Sequence, residues 1–240
     1  MVVHGRVAPA APKTVRIPTW AAKTTMAVTG LIMLAFVAFH MVGNLKIFLG
    51  AEQLDHYAGW LREMFVPLLP YEWFLWIFRA VMALALVLHV CCALLLWKRG
   101  TNTGTRGAAR LGRSGWGAKL MLPTGILILM FIPTHLLDLT LGAVVAPKGF
   151  EHPTDGQFHA AHNVAASFAR PAMSIMYLII LIAIAVHLSH GVGLAAQDLG
   201  AISPKARSFW RIIGYIAALA IVIGDGAVVI WGLAGGGGLS

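Results

Sequence analysis

The chain has 240 residues, of which 59% are hydrophobic and only 11% are Asp, Glu, Lys or Arg. A globular domain usually has about 25% charged residues, so a water-soluble protein is excluded. The formal net charge of +9 is therefore not read as a nucleic-acid signal, and no nucleic-acid partner is expected. The two cysteines, Cys91 and Cys92, are adjacent within an apolar run, which excludes a secreted disulfide framework.

Five stretches are long and apolar enough to cross a membrane, since a spanning helix needs about 20 mostly apolar residues. They cover residues 24–49, 73–97, 117–141, 172–197 and 210–233. Barrel strands would instead be alternating segments of about 10 residues. We predict an all-α integral membrane bundle of five transmembrane helices, a single domain over 1–240 with tails at 1–20 and 234–240. No internal repeat is apparent.

The positions of the 18 Lys and Arg residues predict the orientation of the bundle. Thirteen flank the expected inner ends of the spans: Arg6, Lys13, Arg16, Lys23, Lys98, Arg99, Arg106, Arg110, Arg113, Lys119, Lys205, Arg207 and Arg211. By the positive-inside rule the N-terminus is cytoplasmic and the C-terminus is outside. The same basic face is also suited to an acidic partner or to anionic membrane lipid.

Each of the first four spans carries one histidine well inside the membrane: His40, His89, His135 and His187. An ionisable side chain in hydrocarbon is costly and indicates function, although a neutral imidazole that bonds across helices is the alternative. At 1.5 Å per residue, His40 and His135 lie roughly 24–27 Å from the cytoplasmic edge, and His89 and His187 roughly 12–15 Å. The four sort into an outer and an inner pair.

Two imidazoles that face each other in a helical bundle form an axial ligand set for haem iron. Such iron is six-coordinate and suits electron transfer. The two depths differ by about 10 Å, so we predict two haems. His40 and His135 would hold the outer haem, and His89 and His187 the inner one.

Four separated motifs carry a family resemblance that covers about residues 18–200. They are FHMVGNLKIFLGAEQLDHYAGWLRE, PLLPYEWFLWIFR, THLLDLTLG and HLSHGVGLAAQDLG, in that order along the chain. The chain resembles the single-chain, five-helix cytochrome b membrane anchor of succinate dehydrogenase (complex II), the di-haem, b558-type anchor of actinobacteria and relatives.

The resemblance implies a function and its partners. One histidine from each of the first four helices supplies an axial ligand, which carries over to His40, His89, His135 and His187. The anchor itself holds no succinate site. A flavoprotein and an iron–sulfur subunit bind its cytoplasmic face, and it passes their electrons to a quinone, expected to be menaquinone. The expected location is the bacterial inner (plasma) membrane, as a multi-pass subunit of the respiratory chain and tricarboxylic acid cycle. A higher oligomer of the complex is compatible with this.

Several residues near the predicted ligands have two interpretations. His190 is an alternative ligand to His187, or a contact for a haem propionate. Arg79 would pair with an outer propionate or extend to the membrane surface. Asp138 would orient a histidine or lie in the interface, and Asp225 would move protons or be protonated and hydrogen-bonded.

Relatives with a carboxylate on the fourth helix use it as a proton path. Ala183 and Ala185 stand at that turn here, which puts this path in doubt.

The first outer connection offers a quinone site near the outer haem: Glu52, Asp55, His56, Tyr57, Trp60 and Glu63. An inner site near Trp20 or Ser189 is the alternative. His152, His159 and His162 lie in the third connection, where the HAAH spacing suits a metal but no third ligand is evident, so a structural role is favoured.

Three other functions compete with the di-haem anchor. Cys91 and Cys92 with two histidines would form a membrane-embedded Rieske-type [2Fe–2S] cluster, although adjacent helical residues point about 100° apart. A cytochrome b subunit of a hydrogenase or formate dehydrogenase also uses histidines in the membrane. A haem-free anchor or small transporter would have no haem absorption.

Overall fold

The computed structural model describes residues 17–102, 116–154 and 156–238. These residues form seven α-helices and two short 3-10 turns, Leu45–Leu49 and Gly236–Gly238. The helices are α1 (Thr19–Asn44), α2 (Ala51–Glu63), α3 (Trp73–Asn102), α4 (Trp116–Leu139), α5 (Ala160–Phe168), α6 (Pro171–Asp198) and α7 (Pro204–Leu233). The described residues contain no β-strand, only an isolated bridge between Thr154 and Gln157.

Five helices of the described chain are long and apolar enough to cross a membrane: α1 with the turn that follows it, α3, α4, α6 and α7. The prediction of an all-α bundle with five spans is confirmed. α1 and α7 begin earlier than predicted, at Thr19 and Pro204 rather than at 24 and 210. At α7 the extra turn is capped by Ser203, whose side chain accepts a hydrogen bond from the Ala206 amide.

Two short helices, α2 in the first connection and α5 in the third, were not predicted. The side chain of Asp55 on α2 accepts a hydrogen bond of 2.9 Å from the amide of Ala161 in the first turn of α5. The ring of Phe158 packs directly onto Gly59, where a Cβ atom would approach it to 2.7 Å. The two connections are therefore joined to each other over one end of the bundle.

The spanning helices pack as two pairs that meet through α1 and α6. α1 packs against α3, α4 packs against α6, and α7 lies against both α6 and α1. Ile221 and Val229 of α7 are fully buried in this core. By contrast, only 6% of the most apolar stretch of α3, and the same share of α4, is buried, which leaves most of their apolar surface for lipid.

Polar contacts show which helix ends share a face. Arg99 at the end of α3 donates to the carbonyl of Ile17, 2.6 Å away, and to Thr19 at the start of α1. Lys23 of α1 pairs with Asp198 at the end of α6, 3.0 Å away. The start of α1 and the ends of α3 and α6 therefore lie together, as alternating spans require. Six of the basic residues used to predict orientation lie outside the described residues: Arg6, Lys13, Arg16, Arg106, Arg110 and Arg113.

Exposed tryptophans lie near both ends of the bundle. Trp20 and Trp97 are exposed at the end that carries Lys23 and Arg99, and Trp73 and Trp76 at the opposite end. Tryptophan is enriched at both membrane–water interfaces, so these side chains are placed where the headgroups of a bilayer would lie. Part of the predicted C-terminal tail is not free of the bundle, since the turn at Gly236 packs on Ala165 of α5.

Candidate functional site

The four histidines of the first four spans meet in two pairs. The ring centroids of His40 on α1 and His135 on α4 are 5.8 Å apart, with an interplanar angle of 84°. Those of His89 on α3 and His187 on α6 are 6.4 Å apart, with an angle of 60°. The structure thus brings together the same residues that were paired by depth in the membrane.

The spacing of each pair suits two imidazoles on opposite sides of one metal ion. A metal–imidazole bond is about 2.0–2.1 Å long, and the ring centre lies about 1.1 Å behind the bonding nitrogen. Two such rings in line have centroids about 6.3 Å apart. The observed distances of 5.8 and 6.4 Å lie close to this value.

The hydrogen bonds of the inner pair leave Nε2 of each ring without a proton. Nδ1 of His89 lies 3.0 Å from the carbonyl of Met26 and 3.4 Å from the hydroxyl of Thr29. The Thr29 hydroxyl directs its own proton to the Thr25 carbonyl, so both groups accept. A carbonyl oxygen can only accept a hydrogen bond, so Nδ1 of His89 must carry the proton. Nε2 then keeps the lone pair that a metal needs.

His187 is held in the same way by α4. Its Nδ1 lies 3.2 Å from the hydroxyl of Thr124, and the side chain is also hydrogen-bonded to the backbone of Met121. The Thr124 hydroxyl donates to the Leu120 carbonyl, 2.6 Å away. A Cβ atom at Gly125 would lie 3.4 Å from Cε1 of His187, and one at Gly30 would lie 3.1 Å from Cε1 of His89. Each inner ring therefore lies against a Thr-Gly step on the neighbouring helix.

These matching contacts reflect a repeat that the sequence analysis did not find. Residues 26–40 (MAVTGLIMLAFVAFH) and 121–135 (MLPTGILILMFIPTH) share a methionine, a threonine, a glycine, a leucine, a phenylalanine and the outer histidine at equivalent positions. In both copies the phenylalanine packs against the histidine one turn later, at 5.4 Å for Phe36 and His40 and 5.5 Å for Phe131 and His135. The pairs α1–α3 and α4–α6 thus use one arrangement twice.

The outer pair is held by a different set of polar groups. Nδ1 of His135 lies 3.2 Å from the hydroxyl of Tyr177, which donates to Asp138 across 3.0 Å. Asp138 is fully buried and is paired with Arg170 at 2.5 Å. Asp138 therefore reaches a histidine, although through a tyrosine. Neither Tyr177 nor Arg170 was among the candidate site residues predicted from the sequence.

A carboxylate of α7 is bonded to α1 one turn after His40. Asp225 accepts a hydrogen bond of 2.9 Å from the side-chain amide of Asn44, four residues after His40. Gly224 permits this close approach of α7, because a Cβ atom there would lie 2.7 Å from the sulfur of Met41. This hydrogen bond is compatible with both interpretations of Asp225, because a carboxyl oxygen accepts in the protonated and in the ionised form.

The other two residues with two interpretations are His190 and Arg79. The ring of His190 packs directly on the backbone of Gly117 at the start of α4, whereas His187 is the residue that faces His89. The guanidinium of Arg79 lies 4.7 Å from the ring centre of Trp76 on its own helix. Neither contact tests a role in holding a propionate.

Four of the six residues proposed for quinone binding line one open cleft between the first and third connections: Asp55, His56, Trp60 and Glu63. They lie there with Gly59, Gly156 and Phe158, around a volume of about 320 Å³. Phe158 and Gly156 come from the third connection and were not predicted. A second cleft, of about 490 Å³, shares Glu63, Gly156 and Phe158 with the first.

Tyr57 is not among the residues that line this cleft. Its ring packs on Gly43 of α1, lies 5.3 Å from the Lys46 ammonium and stacks with Trp60. Burial raises the pKa of the Tyr57 hydroxyl above its usual value. At the opposite face, Trp20 is exposed and Ser189 donates to the carbonyl of Val186 within its own helix.

The contacts of His152, His159 and His162 in the third connection support a structural role for these histidines. Glu151 lies 3.0 Å from Nδ1 of His159 and 3.9 Å from Nε2 of His162, and the backbone of Glu151 is bonded twice to Asn163. The ring of His152 packs on Phe150. Among the described residues, no group of three or more His, Cys, Asp or Glu could hold a metal ion.

Comparison of the chain with protein-family models, with curated proteins and with solved structures found no match.

Proposed function

We propose that this chain is the membrane-anchor cytochrome b subunit of a succinate:quinone oxidoreductase and carries electrons through two b haems to a quinone. The single observation that carries the proposal is the meeting of four intramembrane histidines in two pairs, 5.8 and 6.4 Å apart. The family assignment within this proposal rests on the resemblance of four motifs.

The donor set of each pair supports haem as the group that it binds. A bis-histidine haem needs only two protein ligands for each iron, and each pair supplies that number from two different helices. At three of the four rings a hydrogen bond from Nδ1 leaves Nε2 available as the ligand. Ligating histidines in proteins are held in this way by an acceptor behind the ring.

The four histidines would hold the haems, and their hydrogen-bond partners would orient the rings. When bound, haem iron with two imidazole ligands exchanges single electrons and has no open position for oxygen. Phe36 and Phe131 pack against the outer rings and exclude water. The basic ends of α1, α3 and α7 provide a face for the iron–sulfur subunit and its flavoprotein partner.

The cleft on the outer connections would receive the quinone. Trp60 and Phe158 provide apolar walls, and His56 and Glu63 provide exchangeable protons beside them. Asp55 has a structural role instead, because its carboxylate is bonded to the amide of Ala161. This placement favours the outer side over the inner alternative near Trp20 and Ser189.

The geometry of α3 argues against the Rieske-type alternative. The helix is continuous through Cys91 and Cys92, so the two side chains point about 100° apart. Cys91 is exposed and Cys92 is partly buried. Joint ligation of one iron by both thiolates would require local unwinding.

The test is the haem content of the purified complex, measured as pyridine haemochrome for each chain. We expect two haems in the wild type and one in each of His40→Ala and His89→Ala, because each substitution removes a ligand from a different pair. His190→Ala is the matched control and should retain two. A wild type with no haem or one haem contradicts the proposal, and so does a His89→Ala variant that keeps both.

A further inference from the structure

A buried carboxylate lies behind the outer histidine pair. Asp138, at the end of α4, is 0% exposed. It accepts hydrogen bonds from Arg170 at 2.5 Å, from Ser167 at 2.5 Å and from Tyr177 at 3.0 Å. The Arg170 guanidinium also donates to the carbonyl of Val145. A carboxylate with a guanidinium at this distance is ionised, and an ionised carboxylate only accepts hydrogen bonds.

The negative charge of Asp138 determines which group donates in each of the hydrogen bonds that connect Asp138 to His135 through Tyr177. Tyr177 has one hydroxyl proton, and that proton goes to Asp138. The Tyr177 oxygen is then an acceptor for His135, whose Nδ1 lies 3.2 Å away. His135 must therefore carry its proton on Nδ1, and its Nε2 has the free lone pair.

The ring of Tyr177 is held firmly in place for this role. It is 6% exposed and packs edge to face with Phe131 and Phe168, whose ring centres lie 5.0 and 4.8 Å away. The hydroxyl group is thus a fixed acceptor. A phenylalanine at this position would keep the ring contacts and remove only the hydroxyl.

We propose that Tyr177, oriented by the Arg170–Asp138 ion pair, is a positioning residue that sets the tautomer of His135 and lowers the reduction potential of the outer haem. The inference rests on the proposed function, because it assumes that His135 is a haem ligand. An acceptor backed by a carboxylate raises the basicity of a ligating imidazole. A more basic ligand stabilises the oxidised iron, which carries the greater positive charge.

The inner pair provides an internal reference in the same molecule. His89 is held by the neutral carbonyl of Met26 and the neutral hydroxyl of Thr29, and His187 by Thr124 and the backbone of Met121. A change at Tyr177 should therefore alter one haem and leave the other unchanged.

The experiment is a redox titration of the purified complex with Tyr177→Phe, followed at the haem absorption bands. We expect the reduction potential of one haem to rise by about 59 mV. For one electron this equals an increase of about tenfold in the ratio of reduced to oxidised haem. Loss of that haem alone also supports the proposal. Asp138→Asn should shift the same haem in the same direction and is a second variant where Tyr177→Phe fails to fold.

Ser167→Ala is the matched control. Ser167 donates to the same carboxylate oxygen as Tyr177 but has no bond to His135, so both potentials should stay as in the wild type. An equal shift in Ser167→Ala would show a purely structural effect and overturn the proposal. If the Tyr177→Phe complex holds two haems at unchanged potentials, the proposal is wrong and the function stands. If His135→Ala removes no haem from the complex, both the proposal about Tyr177 and the proposed function are wrong.

Discussion

Removing one partner of the ion pair between Asp138 and Arg170 should be among the most destabilising single changes in the chain, because it leaves the other charge unpaired. The change is Asp138→Asn, which keeps the shape of the side chain and removes its charge. Breaking a buried pair by removing one partner costs about 3–5 kcal/mol. Two features favour the lower end, about 3 kcal/mol: the Arg170 side chain is 32% exposed, and it keeps its bond to the Val145 carbonyl.

Lys23→Met is the matched control, because it breaks an exposed ion pair between two spanning helices, with Asp198. Lys23 is 49% exposed, and exposed pairs contribute about 0–1 kcal/mol. Lysine and methionine also have similar helix propensities.

The assay is thermal unfolding of the full chain in detergent. A chain of this length shifts its Tm by about 2–4 °C for each kcal/mol. We expect a decrease of about 6–12 °C for Asp138→Asn and at most about 4 °C for Lys23→Met. If Asp138→Asn costs no more than Lys23→Met, the carboxylate is not the buried partner described above, and the reasoning is refuted.

Two other predictions test the packing of α7 and the protonation of α2. A Cβ atom at Gly232 would lie 2.5 Å from Cβ of Phe168, whereas one at Gly226 would meet nothing within 4 Å. Gly232→Ala should therefore lower the free energy of unfolding by about 1–3 kcal/mol and lower the Tm accordingly. Gly226→Ala should leave the Tm unchanged or raise it. Equal effects of the two substitutions would contradict the packing. Burial raises the pKa of Tyr57 above 10, so the contribution of its neutral hydroxyl to stability is complete below pH 10 and is lost as the pH rises through the raised pKa. In an alkaline titration, Tyr57→Phe should therefore unfold at a higher pH than the wild type. An unchanged midpoint would contradict the burial of Tyr57.

The features of the structure that depend only on hydropathy and on residue counts along the chain were predictable. A bilayer requires a minimum length of apolar helix, so all five spans were found. A helix rises 1.5 Å per residue and successive spans alternate in direction, so counting residues was enough to pair His40 with His135 and His89 with His187. The ends of α1 and α7 were misplaced, because capping and interfacial residues continue a helix beyond the hydrocarbon.

The partners of the histidines could not be predicted in the same way. Asp138 is 32 residues from Arg170 and 39 from Tyr177 along the chain. Their meeting depends on the rotation of α6 and on the path of the third connection. Hydropathy carries no information on either. α5 was missed for a related reason, since a nine-residue helix inside a polar connection has no membrane signal.

The repeat of Met-x-x-Thr-Gly was available in the sequence and was overlooked. Leu, Ile, Val and Met exchange freely on lipid-facing positions, so most of the 15 positions differ between the two copies and the similarity is low. The positions that agree are the ones with specific contacts: Thr29 and Thr124 bond to the inner histidines, and Phe36 and Phe131 pack on the outer ones. A search for identical polar and glycine residues at equal distance from each histidine would have found it.

The repeat also explains how one chain offers two sites of unequal character. Each copy supplies one outer histidine and the acceptor for one inner histidine, so the inner pair is built from equivalent neutral contacts on both sides. The outer pair lies where the copies differ. His135 is backed by Asp138 through Tyr177. On the other side, Asn44, one turn after His40, donates to Asp225 of α7, a helix outside the repeat. Both carboxylates, Asp138 and Asp225, lie outside the repeated segments 26–40 and 121–135. The outer pair therefore has carboxylates in its surroundings, whereas the hydrogen bonds described for the inner pair go to neutral groups.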